Sequence, residues 1–67
     1  MARIMAILCE GGHLQKGSQR YKIARKLIAS RIEIMGPDAA YTNAKWNKHE
    51  LLVQIDELHR LSRLGRF

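Results

Sequence analysis

The sequence predicts a mainly α-helical fold: a small bundle of two long helices, about 19–35 and 48–64, with a short helical turn near 38–45 and an N-terminal segment, 2–10, that suits a helix or a strand. Three observations predict it. Residues 19–35, QRYKIARKLIASRIEIM, repeat apolar side chains at helical spacing. The pair Gly36 and Pro37 stops that run, because glycine accepts the left-handed backbone after a helix and proline cannot continue the ladder. Asn47 followed three residues later by Glu50, ahead of a leucine-rich stretch, is a helix-start signature.

With 67 residues, 1–67 reads as a single small basic helical domain near the lower limit for independent folding. A 46% apolar and 27% charged composition separates it from disordered chains. Its first element is the hardest to assign. Six consecutive apolar residues from Ile4 to Cys9 fit a buried strand as well as a two-turn helix, although Ala2, Arg3, Met5 and Leu8 favour the helix and Gly11 would close it. Residues 11–18, GGHLQKGS, are a loop by composition.

In the helix 19–35, Tyr21, Ala24, Ile28, Ile32 and Met35 line one face. Ile23, Leu27 and Ile34 form a second apolar stripe beside it, so about half the circumference seeks a neighbour. Asp38 is placed to cap the short turn that follows. For the last helix, the Asn47 side chain is expected to cap, Glu50 to reach back to the Asn47 amide, and Trp46 to pack on Leu51 across the cap. Leu51, Leu52, Ile55, Leu58 and Leu61 make its apolar face, Asp56, Arg60 and Arg63 point away, and Gly65 ends it before a tail of Arg66 and Phe67.

The formal net charge is +6, and all of it sits between residues 14 and 32. Lys16, Arg20, Lys22, Arg25, Lys26 and Arg31 meet no acid there, whereas Arg3, Lys45, Lys48, Arg60, Arg63 and Arg66 balance Glu10, Glu33, Asp38, Glu50, Asp56 and Glu57. Lys22, Arg25 and Lys26 cluster on the back of the helix. Arg20 and Arg31 interrupt its apolar half and are expected to pair with an acid from another element or from a partner, leaving a polyanion face nearer +4 than +6. Such a localised field attracts polyanions, and its self-repulsion calls for one.

Other chemistries fare poorly. Cys9 is the only cysteine, which rules out an intrachain disulfide and makes the cytoplasm the simplest location. A six-residue apolar run is too short for a bilayer or a secretory core, so no membrane partner is expected. The order of apolar run, glycine loop and helix invites comparison with phosphate-binding loops. Four residues do separate Gly12 from Gly17, but Ser18 stands where the motif needs lysine, and the chain is too short for the required sheet. Cys9, His13, His49 and His59 lack the paired spacing of a structural zinc site, so no metal or other cofactor is expected. Cys9 with His13 has no orienting third group, and Glu50, Asp56 and Glu57 read as a cap and surface pairs, so the chain is not expected to be an enzyme. Tyr41 and Trp46 are assigned to packing rather than to base stacking. A helix-turn-helix reader is disfavoured because the final helix exposes Asp56 and Glu57.

Two functions remain. The first is a nucleic-acid-binding accessory protein that contacts the phosphate backbone through Lys16, Arg20, Lys22, Arg25 and Lys26, without sequence specificity. The alternative is a small protein-binding module, an inhibitor of or subunit in a larger assembly. It would dock on an acidic protein surface, or pair as a homodimer, along Ile23, Leu27 and Ile34.

Overall fold

A computed structural model describes residues 1–65, and the expected tail of Arg66 and Phe67 lies outside the described residues. The ambiguous first segment is a helix, α1 (Ala2–Cys9). Its preference for helix wins because Ile4, Met5 and Leu8 fall on one helical face, and all three are buried. A 3-10 turn, Glu10–Gly12, follows, with Gly11 and Gly12 in the left-handed region at φ 80 and 77°. Gly11 sits one position beyond the Glu10 cap, and together the two glycines turn the chain away from α1.

The 13–18 loop is not only polar connection. Leu14 is 2% exposed and belongs to the core, so the loop is pinned from inside. From outside, the Arg20 guanidinium donates to the His13 carbonyl at 2.9 Å, and Lys48 Nζ holds the preceding 3-10 turn by donating to the Glu10 carbonyl at 2.9 Å. Helix α2 (Gln19–Met35) opens on Ser18, whose hydroxyl accepts the Tyr21 amide at 3.1 Å and donates to the Gln15 carbonyl at 2.7 Å. Ser18→Ala removes both bonds. The variant is expected to lose about 1 kcal/mol and to melt roughly 4–8 °C lower in a circular dichroism scan.

Gly36 closes α2, its amide donating to the Ile32 carbonyl at 2.8 Å with φ at 89°. The same residue starts the next helix. Where the sequence suggests a short turn capped by Asp38, the structure has a full helix, α3 (Pro37–Trp46), with Pro37 in the first turn. Proline belongs there because the first-turn amides lack partners in any case and its fixed φ suits the helix. Asp38 thus lies inside the first turn, where its charge favours the helix dipole without capping.

Helix α4 (Lys48–Arg63) begins one residue after α3 ends, and this tight junction overturns the expected capping box. Asn47 occupies the cap position but makes no side-chain cap bond. Its own amide is already taken by the Asn43 carbonyl at 2.8 Å, so Glu50 has nothing to reach back to. Its backbone, at φ −121° and ψ 34°, closes α3 rather than adopting the extended form a capping side chain needs. Trp46 does not staple the junction either: it is 77% exposed. The buried residues of α3 are Ala40 and Ala44, one turn apart, and Trp46 lies nearly opposite them around the helix.

Helix α2 packs against both α3 and α4, and α1 lies across all three. One core takes residues from every helix: Ile4, Met5 and Leu8 from α1, Ala24 and Ile28 from α2, Ala40 and Ala44 from α3, Leu51 and Ile55 from α4, with Leu14 from the loop. The three alanines let the helices approach closely while the larger side chains fill the space between them. The radius of gyration, 11.3 Å, is what close packing of this length requires, about 11 Å. Among the described residues there is no strand, and no helix is long and apolar enough to cross a membrane.

Candidate nucleic-acid interface

Helix α1 is buried along Ile4, Met5 and Leu8, and beside that face it carries small side chains, Ala2, Ala6 and Cys9. Helix α2 runs alongside with Tyr21, Arg25 and Ala29 in one row and Lys22 and Lys26 in the next, each row spaced by one turn. Because the α1 side chains are short, a groove of about 560 Å³ remains between the two helices. Met1, Ala2, Met5, Ala6 and Cys9 form one side of it, and Tyr21, Arg25 and Lys16 the other. A second hollow, of about 400 Å³, adjoins it through Met1 and Arg25 and is lined by Lys22, Lys26 and Ala29. Neither is lined by an acid.

Lys16 and Arg25 line the groove, and Lys22, Arg25 and Lys26 line the adjoining hollow. All four are exposed, and among the described residues none lies within ion-pair distance of a carboxylate. Arg20 is placed elsewhere. Its guanidinium pairs with Asp56 of α4 at 2.6 Å and holds the His13 carbonyl, so it clamps α2, α4 and the loop. Arg31 is also engaged, donating to the Asn43 side-chain oxygen at 2.7 Å rather than to an acid. Of the six bases between residues 14 and 32, four therefore keep exposed side chains with no carboxylate partner among the described residues.

The second apolar stripe of α2 comes apart. Ile23 is 3% exposed, within the protein and not on a contact surface, and Leu27 is half-buried against the core. Only Ile34, 80% exposed, stays open to a partner, and Met35, expected on the core face, is partly exposed beside it. The reason lies in the fold. Helix α2 has three neighbours, α1, α3 and α4, and they take up Ile23, Ala24 and Ile28 while leaving the apolar residues at its C-terminal end uncovered.

Set against protein-family models, curated proteins and solved structures, this chain matches none.

The remaining candidates are scattered. Cys9 faces the α1–α2 groove, His13 and His49 line a hollow with Arg20 and Asp56, and His59 lines another with Arg60 and Arg63. Among the described residues no three His, Cys, Asp or Glu side chains gather closely enough to hold a metal ion. The Tyr41 ring is covered by Arg3, whose guanidinium carbon sits 4.1 Å from the ring centroid, a cation–π contact that ties α1 to α3. The groove itself is the feature sequence reasoning missed. The i, i+4 recurrence of Ala2 with Ala6 and of Met5 with Cys9 carries its only signal, and that signal has no meaning until α1 is known to lie beside the basic rows of α2.

Proposed function

We propose that this chain is a non-enzymatic nucleic-acid-binding accessory protein that grips the phosphate backbone through Lys16, Lys22, Arg25 and Lys26. One observation carries the reading: four bases without acidic partners among the described residues line two adjoining hollows that share Arg25, and no acid lines either. Backbone contacts of this kind are independent of sequence and derive much of their strength from released counterions. Arg20 supports the surface by fixing the loop that carries Lys16. A cytoplasmic setting suits the lone Cys9 and a nucleic-acid partner. An acidic protein surface is the second reading, favoured by the apolar side of the groove and by exposed Ile34.

The test is salt dependence. Four neutralised phosphates give a log–log slope of affinity against salt of roughly −3.5 on duplex DNA and roughly −3 on a single strand. Fluorescence anisotropy titrations between about 50 and 200 mM salt should therefore show affinity falling by about 50- to 150-fold. Binding that ignores salt over this range refutes backbone recognition.

A further inference from the structure

We infer that the groove between α1 and α2 admits an unpaired base, so that the nucleic acid this protein takes is single-stranded. The inference rests on the backbone-binding reading above and adds the class of substrate. It starts from a mismatch between the two sides of the groove. Phosphates need only Lys16, Lys22, Arg25 and Lys26, and a duplex, with its bases stacked inside, offers nothing to an apolar surface lying below them. Yet Ala2, Ala6 and Cys9 of α1 and Tyr21 of α2 hold such a surface open directly beside Arg25.

Single-strand sites combine a cationic track for the backbone with aromatic or apolar surfaces against which bases lie. Here Lys22, Arg25 and Lys26 supply the track, and Tyr21, half-buried on the wall of the groove, supplies the aromatic surface for a base. The space fits. At about 560 Å³ the groove is within the roughly 300–1,000 Å³ range of small-molecule sites. The adjoining hollow shares Arg25 with it, so a backbone crossing Arg25 can place a base in the groove while its next phosphate meets Lys22 or Lys26. An acidic amphipathic helix would find the same charge complement. However, α1 has only eight residues and is about 12 Å long, which leaves room for barely two turns of a partner helix, the minimum for anchors at i to i+7.

The experiment compares three labelled probes of equal length, about a dozen nucleotides, against the full chain: oligothymidylate, the same strand carrying abasic sites, and a duplex. The intact single strand is expected to bind about tenfold or more tighter than the other two. Ala6→Leu fills the groove from an exposed helical position without changing charge, and leucine keeps the helix. This variant should bring the intact strand down to the affinity of the abasic one, with circular dichroism unchanged. A duplex or abasic strand that binds as tightly as the intact one overturns base lodging, as does an Ala6→Leu variant with undiminished affinity. In either case a retained salt slope leaves the backbone reading standing. Absence of salt-sensitive binding to all three probes overturns both readings. An acidic amphipathic peptide that then binds the wild type but not Ala6→Leu gives the groove to a protein helix.

Discussion

Leu8→Ala is expected to cost about 3–4 kcal/mol and to lower the melting temperature by roughly 15–25 °C. Leu8 is fully enclosed, with 0% exposure, and belongs to the core shared by all four helices. Truncating it removes transfer energy and leaves a cavity that neighbours cannot close, because Ile4, Ile28 and Ile55 are themselves held at 0–2% exposure. A chain of 67 residues has a total stability of only about 3–10 kcal/mol, so one such cavity consumes much of it. The loss also falls on the least self-sufficient element. An eight-residue helix is not stable alone in water, and α1 exists because Ile4, Met5 and Leu8 dock it. Weakening that docking opens the α1 side of the groove, so nucleic-acid affinity should fall together with stability. Ile34→Ala provides the contrast: at 80% exposure it should change stability by less than about 0.5 kcal/mol. Thermal melts of both variants check the prediction, and equal shifts would contradict the assignment of the core.

The parts of this fold that were legible are those whose signal is local and repeated. Helix α2 and helix α4 each carry an apolar face over four or more turns, and Gly36 and Gly65 mark where they end. What was not legible depended on neighbours. The fate of Trp46 and Asn47 turned on α3 ending one residue before α4 begins, a distance too small for a capping box, and no periodicity reveals that junction. Ile23 and Ile34 belong to the same apolar stripe of α2, yet one is buried and the other open, because burial depends on which neighbours lie against each end of the helix and not on the spacing of its own residues. The candidate site divides in the same way. Lys22, Arg25 and Lys26 are readable as one cluster from their spacing alone, and Arg20 is readable as an interruption seeking an acid. That the acid is Asp56, and that α1 lies where it turns a ridge of bases into the wall of a groove, are tertiary facts.

The charge cluster itself gives the largest functional effect. Lys22→Glu combined with Lys26→Glu is expected to weaken nucleic-acid binding by at least about 100-fold at physiological salt while leaving helix content intact. Both lysines are exposed and, among the described residues, free of ion pairs, and glutamate is as good a helix former, so the folding cost stays below about 1 kcal/mol. The electrostatic cost is larger than two lost contacts. The groove passes from four positive charges to no net charge, and the acid introduced at position 22 stands three residues from Arg25, close enough to draw it into a local pair. Two phosphates lose their partners and a third partner is compromised, which at about −0.7 to −0.9 in salt slope for each contact should flatten the slope by roughly two or more. The control is Arg60→Glu with Arg63→Glu, which changes the net charge equally on a helix that lines neither part of the groove. Charges beyond a Debye length of about 8 Å are screened, so this variant should lose less than about tenfold. Equal losses in the two variants would mean that the protein attracts nucleic acid only through its overall charge, and that the face on α2 has no role of its own.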